Sequence, residues 1–436
     1  MRRTRLVCTA LAVTGLSFGA VACGDDSDDG GGGSSGGGGE TSLDLVIGDS
    51  LPLSGDLGDF GPPGQKAADL AIDEINSAIE EAGVDHSVEI VHEDNGGGAD
   101  QQAAVSAARK LVDSDGASCI TGAWASADTI PTAESVTIDA EVPLISPAST
   151  SDEITAIGGD NPGLVNRTAP PDSFQGPTLA NYIDQEIGAD GSTANVGARN
   201  DAYGTGLDGT FSEAWEGLGG SIGTDTVYDP KLPSYDSEAS DITEGDPDAT
   251  VIVDFPETYN KVGPSLVRAG FDPGTTFVTD GLISGDLAEG AGDDAVNGLR
   301  GTAPGVPDDD ESSKAFDQAF TDFEPKDVER MTFDAQNFDA VVLCYLSAVA
   351  AGSDEGADMA ETLHDVSAPG GDEYTWEELP EAIEALQNGD DIDYQGASGA
   401  IDMDENGDAT AGVYDVFEFK NGAPEPIDEV EVETGG

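Results

Sequence analysis

What most limits the fold of this chain is an alternation, repeated from residue 43 onward, of short apolar runs with longer segments of helical periodicity. Leu43-Asp44-Leu45-Val46-Ile47-Gly48 reads as a strand; in 65–79, Ala68, Ile72, Ile75 and Ile79 then share one helix face. Val88-Glu89-Ile90-Val91 is the next strand, and 101–112 the next helix, with Val105, Ala108, Leu111 and Val112 along one side. Strands at 117–121 and 142–145 follow, with a helix at 132–138 between them. This order predicts a parallel sheet wrapped by helices. The pattern then restarts, with strands at 195–198, 249–255 and 276–279 separated by helical stretches at 207–218 and 259–269. Helices return at 313–323, 335–350 and 376–387, and strands at 399–402 and 413–420 close the chain. So much α/β sequence exceeds one ordinary core and suits two lobes.

The leader points to export. Arg2, Arg3 and Arg5 precede an apolar stretch from Leu6 to Ala22, the pattern of a secretory signal and too short and Gly-broken for a stable spanning helix. It ends Gly19-Ala20-Val21-Ala22-Cys23-Gly24, which resembles the lipobox of bacterial lipoproteins and implies a lipidated Cys23. An ordinary cut at the Ala-x-Ala-like site is the alternative. Residues 24–40 hold almost nothing but Gly, Asp and Ser, so they form a solvated coil spanning roughly 20–25 Å. The expected division is signal peptide at 1–22 and lipidated cysteine with tether at 23–42. The body is therefore expected outside the cytoplasm, lipid-anchored at the cell membrane.

Charge excludes one class of partner. The chain carries 88 acidic and 16 basic side chains, a formal net charge of −72, so it offers no basic footprint for nucleic acid. Such self-repulsion disfavours a compact state in dilute salt and is relieved by screening, which points to a high-salt habitat. Cys119 and Cys344 each lie in an apolar setting; buried free thiols are the default, with a bridge left open. The apolar run 340–351 is about three helical turns, too short to cross a bilayer.

Three segments carry the functional reading. They are Leu53-Ser54-Gly55-Asp56-Leu57-Gly58-Asp59-Phe60-Gly61, Thr121-Gly122-Ala123-Trp124-Ala125-Ser126-Ala127-Asp128-Thr129, and Pro143-Leu144-Ile145-Ser146-Pro147-Ala148-Ser149-Thr150-Ser151. All are small-residue, hydroxyl-rich loops leaving the carboxyl ends of predicted parallel strands, where open α/β sheets bind ligands. Backbone N–H groups with Ser and Thr hydroxyls beside them suit a carboxylate. In this order, with Gln175-Gly176-Pro177, Asp201-Ala202-Tyr203-Gly204-Thr205-Gly206-Leu207 and Gly396-Ala397-Ser398-Gly399 further on, the chain resembles the leucine/branched-chain amino-acid-binding family of type I periplasmic solute-binding proteins.

The resemblance implies an α/β two-lobed type I periplasmic-binding-protein fold, each lobe a parallel sheet flanked by helices, with three interlobe crossings. Lobe 1 is expected at 43–165 and 303–395, and lobe 2 at 166–302 and 396–430. It implies that Ser126 binds the ligand carboxylate and that Thr150 holds carboxylate and ammonium, with the Ala148 carbonyl also on the ammonium. Phe60 and Tyr203 would wall the pocket from opposite lobes, with Phe255 a further aromatic and Trp124 narrowing it. The acid for the ammonium falls on Asp280 or, with a one-residue gap, is replaced by Gly281; Asp280 is favoured. Without the family pattern, Ser126 and Thr150 read as helix caps and the aromatics as core.

Asp402-Met403-Asp404-Glu405-Asn406-Gly407 matches the start of a calcium loop, but Val413 stands where its closing glutamate belongs. His86, His92 and His364 lack metal-ligand spacing, and no Walker A motif or hydrolase serine elbow is present in the mature chain. The expectation is a monomeric extracytoplasmic solute-binding protein, not an enzyme. It takes no cofactor or metal and passes a small amino-acid-like ligand to the permease subunits of an ABC importer. A ligand sensor of the same fold for amides, urea or amino acids is the alternative. Far-UV circular dichroism is expected to show folded protein in molar salt and loss of structure at low ionic strength; full folding in dilute buffer would remove the high-salt reading.

Overall fold

The computed structural model describes residues 42–307 and 310–433. The expected signal peptide, Cys23 and the tether through residue 41 lie outside the described residues. In chain order the first strands are β1 (Leu43–Leu51), β2 (His86–Asp94), β3 (Cys119–Thr121), β4 (Leu144–Ser146) and β5 (Val165–Arg167). Next come β6 (Thr193–Arg199), β7 (Ser221–Tyr228), β8 (Ala249–Val253), β9 (Thr276–Val278) and β10 (Arg300–Pro304). The remainder are β11 (Asp372–Thr375), β12 (Ile392–Gly396), β13 (Gly399–Ala400), β14 (Ala411–Lys420) and β15 (Ala423–Glu433).

The first sheet has the order β2-β1-β3-β4-β5, every neighbour parallel. The second runs β15-β14-β10-β9-β8-β6-β7, parallel from β7 to β10. The small third sheet is β11-β12-β13. The chain leaves the first sheet after β5, leaves the second after β10 to rejoin the first core, and returns at β14. The two-lobed α/β architecture expected from the sequence is thus present.

The second sheet is not wholly parallel. β14 pairs antiparallel with β10 and with β15, the last joined through Asn421 and Gly422 at φ 53° and 87°. Two left-handed residues of this kind make the tight hairpin turn that Asn-Gly favours. β15 is acidic and carries Pro424 and Pro426, and β7 alternates exposed and half-buried residues. Both are edge strands, where Pro and charge are tolerated because one side of the ladder is unpaired.

The first core is built around the helix Asp334–Ala351, which is buried from Asp334 to Val349. A helix apolar on all sides belongs inside a protein or a membrane; here Phe338, Val342 and Leu346 join Ile47, Ala71 and Ile75 in one cluster. Among the described residues no helix is long and apolar enough to cross a membrane. Cys344 of this helix is bonded to Cys119 of β3, which corrects the expectation of free thiols. The helix lies on the sheet, so two thiols 225 residues apart meet with their Cα atoms at 5.9 Å. Such a bond persists in an oxidising compartment.

A histidine is clamped beside the first sheet. His92 Nδ1 lies 2.8 Å from Asp49 Oδ2 and its Nε2 3.1 Å from Asp69 Oδ1. Burial opposes the imidazolium, but the hydrogen bonds and charges of both aspartates outweigh it and carry the pKa up to about 10. A folded-state value above the free value near 6.5 means the contribution is complete below about pH 6.5 and is lost as pH rises toward 10. The melting temperature is expected to fall more steeply from pH 7 to 10 in the natural protein than in His92→Gln; equal slopes would contradict the clamp.

Candidate functional site

The loops after β1, β3 and β4 converge, and hydroxyl groups sew two of them together. Ser146 Oγ donates to the Ala123 carbonyl at 2.6 Å, and Ser149 Oγ lies 3.1 Å from the Trp124 carbonyl and 2.7 Å from Thr129 Oγ1. Ser126 Oγ accepts the Ser151 N–H at 3.2 Å, so its hydroxyl reaches across to the next loop and makes no cap on its own helix, Ser126–Thr132. Ser151, not Thr150, caps the following helix, Asp152–Asp160, by accepting from the Glu153 N–H. Two glycines make these approaches possible. A Cβ on Gly122 would lie 2.4 Å from the Ser50 carbonyl, and one on Gly64 2.4 Å from the Trp124 ring. Any larger residue at 64 would push the indole out of its slot.

The opposing wall comes from the second sheet. Tyr203 opens the helix Ala202–Gly217, Phe255 follows β8, and Asp280 follows β9. The rings of Tyr203 and Phe255 stack with centroids 4.9 Å apart and planes inclined by 14°. The Arg199 guanidinium sits 3.8 Å from the Phe255 centroid, a buried cation on an aromatic face. Tyr203 Oη donates to Asp280 Oδ1 at 2.9 Å, lies 2.7 Å from Thr279 Oγ1, and accepts the Gly281 N–H at 3.1 Å. Burial pushes the Asp280 carboxyl up to about 6, partly offset by the Tyr203 bond.

These walls meet around one cavity of about 10 Å³. That is room for about one water, so the two walls stand closed on one another and must part to admit a ligand. The cavity is lined on one side by Leu57, Phe60, Trp124, Ala125, Ser126, Ala148 and Phe333, and on the other by Tyr203, Phe255, Asp280 and Gly281. Its composition, mostly apolar and aromatic with a hydroxyl at one side and a carboxyl at the other, suits an amphoteric molecule with an apolar side chain.

Seven of the residues singled out from the sequence, Phe60, Trp124, Ser126, Ala148, Tyr203, Phe255 and Asp280, line this space. Thr150 does not; it is buried behind the wall. Asp280 and Gly281, the two positions left open, both face in. Leu57, Ala125 and Phe333 also line the space and were not singled out from the sequence. Leu57 and Ala125 lie within the quoted loops and are apolar, a usable signal; Phe333, at φ 75° ahead of the buried helix, had none.

Charged contacts close the two sides on one another. Arg199 Nη2 reaches Asp56 Oδ2, in the β1 loop, at 2.8 Å, while Nε is held by Asp201. Ser284 Oγ donates to Asp59 Oδ2 at 2.8 Å. At the passages, Arg167 Nε bonds Asp408 Oδ1 at 2.7 Å and its Nη atoms reach the Ser151 carbonyl and Thr155 Oγ1. The calcium-like loop uses its own carboxylates internally, since Asp404 Oδ1 accepts the N–H groups of Asn406 and Asp408. Among the described residues no cluster of His, Cys, Asp or Glu is arranged to hold a metal.

A family model described as periplasmic binding protein matches residues 45–423. The substrate-binding protein BasB of a chemotactic signal transduction system in Halobacterium salinarum is 26% identical over 362 residues, 82% of this chain and 83% of that protein. The Leu/Ile/Val-binding protein homolog 3 of Brucella melitensis is 26% identical over 382 residues, 87% of this chain and 92% of that one. Among solved structures, the leucine-binding protein LivK of Thermotoga maritima superposes with a TM-score of 0.71 at 24% identity, covering 88% of this chain and 98% of the other. LivJ of Streptococcus pneumoniae in complex with isoleucine gives 0.70 at 23%, covering 89% and 99%.

Proposed function

This chain belongs to the periplasmic binding protein family, and from that premise we propose that it captures an amino acid, a branched-chain one first, by closing two lobes around it. As a member of that family it is an extracytoplasmic solute-binding protein of an ABC transporter system; its ligand and the steps of capture are the proposal. One observation carries it: Phe60, Trp124, Ser126 and Ala148 face Tyr203, Phe255 and Asp280 across one narrow gap between the two walls.

The lobes are 43–165 with 303–395, and 166–302 with 396–430. The ligand docks first on lobe 1. Ser126 and the N–H groups beside it take the carboxylate, and the Ala148 carbonyl meets the ammonium. Thr150, whose Oγ1 has no hydrogen-bond partner, turns its hydroxyl toward the head group from behind. Closure brings Tyr203, Phe255 and Asp280 over the ligand, and Trp124 with Phe60 sets the size of the side chain. Tighter binding to the closed form drives the population shift, and no bond is made or broken. The closed monomer then meets permease subunits, held near them by a lipid on Cys23 and the tether. High salt screens its acidic surface, in keeping with a relative from Halobacterium salinarum.

Thermal denaturation in molar KCl with each amino acid, small amides and urea tests this. Leucine, isoleucine or valine is expected to give the largest rise, since a ligand at 100 times its Kd adds about 2.7 kcal/mol. Ser126→Ala with Thr150→Ala is expected to abolish the rise. No response to any amino acid, or a full response in the double variant, would contradict the proposal.

A further inference from the structure

The contact between the two walls gathers more acid than Arg199 can neutralise. Arg199 is fully buried. Its Nη2 meets Asp56 Oδ2 of the β1 loop at 2.8 Å, its Nε meets Asp201, and its Nη1 lies 3.7 Å from Asp254 Oδ1. A further carboxylate, Asp128, approaches from the first wall. It belongs to the helix Ser126–Thr132, whose first residue lines the cleft, and it is fully buried.

Only half of the Asp128 carboxylate is satisfied. Oδ2 accepts the Gly98 N–H at 2.6 Å, while Oδ1 is buried without a hydrogen-bond partner. Gly98 itself stands against the opposite wall, where a Cβ would lie 3.3 Å from the Phe255 ring. The charges that act on Asp128 come from both halves: Asp56 from its own, Arg199 and Asp201 from the other. Burial, with the charges of Asp201 and Asp56, outweighs the Gly98 bond and Arg199 and pushes this carboxyl up to about 7.

Charged side chains on the helices packed beside it, Gln101–Lys110, Asp152–Asp160 and Ala202–Gly217, take partners of their own. Arg109 bonds the Ser135 carbonyl, Lys110 bonds Glu93 and Asp115, Asp152 accepts the Ser173 N–H, and Asp208 accepts from Ser212. Asp254 differs from Asp128 because its donors, Tyr228 Oη at 2.9 Å and the Phe255 N–H at 2.8 Å, belong to its own half. Parting of the halves leaves those bonds in place. Asp128, by contrast, is enclosed by the approach of the other half. A buried carboxylate with one free oxygen is costly, whereas a carboxylic acid brings an O–H donor to surroundings rich in acceptors.

We propose that closure of the cleft is coupled to uptake of one proton by the Asp128 carboxylate, so that the chain holds its ligand more tightly as the medium turns acidic. This rests on the proposed capture by closure and adds a regulation to it. The proton comes from solvent and goes to Oδ1, and no other bond is made or broken. When the halves part, Asp201 and Arg199 withdraw, water reaches the carboxyl, and the proton returns to the medium. The closed-form value lies above the free value near 3.8, so closure is favoured below about pH 7 and the preference fades as pH rises through that point.

Isothermal titration with leucine in molar KCl at pH 8, 7 and 6 tests the coupling in the natural protein and in Asp128→Asn. The natural protein is expected to bind about tenfold more tightly at pH 6 than at pH 8. At pH 7 it is expected to take up about half a proton, read from buffers of different ionisation heat. Asp128→Asn, uncharged and able to keep the Gly98 bond, is expected to flatten the profile. It is expected to bind at pH 8 as tightly as the natural protein does at pH 6, a gain that a merely structural role would not give. Asp128→Ser is also uncharged, is expected to give the same flat profile, and serves if the Asn variant fails to fold. A flat profile in the natural protein, or an unchanged slope in the variants, would overturn the coupling and leave the capture of leucine standing. Failure of leucine to bind at any pH would instead overturn the proposed ligand. The coupling is then read from small-angle scattering without ligand, in which only the natural protein is expected to be more compact at pH 6 than at pH 8; equal radii at both would overturn it.

Discussion

Two backbone carbonyls, those of Ala123 and Trp124, hold the cleft together. The hydroxyls of Ser146, Ser149 and Thr129 converge on them and fix the β3 and β4 loops against each other. This wall is therefore fixed by hydrogen bonds of its own. A preformed wall lowers the ordering cost of association. Gly122 and Gly64 belong to the same constraint, because each yields space that a side chain would take from Ser50 or Trp124.

The opposite wall is built differently. It relies on buried charge and stacked rings: Arg199 lies against Phe255 between Asp56, Asp201 and Asp254, and Tyr203 ties Asp280 to the β9 end. Burial raises Asp254 to about 7 despite Arg199, so this wall is sensitive to which charges sit near it. Asp56 belongs to the first wall and Arg199 to the second, so their bond exists only when the halves are together. In the proposed closure a charge pair forms along with the ligand contacts. Removing one partner of such a buried pair is costly, because it strands the other.

Much of this was legible in the sequence because both periodicities and loop chemistry are local. The βα alternation gave most strands of both sheets, and the small, hydroxyl-rich loops marked Ser126, Ala148 and their neighbours. Resemblance to a family supplied what local pattern does not, the pairing of Phe60 with Tyr203 and Asp280 across the cleft. β7 and β15 escaped because edge strands are polar, and β5 (Val-Asn-Arg) and β10 (Arg-Gly-Thr-Ala-Pro) because neither carries an apolar run. The Cys119–Cys344 bond was hidden by a separation of 225 residues, which no spacing rule spans. Phe333 was invisible for a similar reason: its setting is made by elements far apart in the chain.

Capture by closure is tested most directly by a distance between the halves. Spin labels at Ser106→Cys and Ser240→Cys, both exposed and on helices beside opposite sheets, report it by pulsed dipolar spectroscopy in molar KCl. Without ligand a long or mixed distribution is expected, and saturating leucine is expected to collapse it to the single short distance of the closed form. A distribution unmoved by leucine, in protein that calorimetry shows to be saturated, would contradict hinged capture.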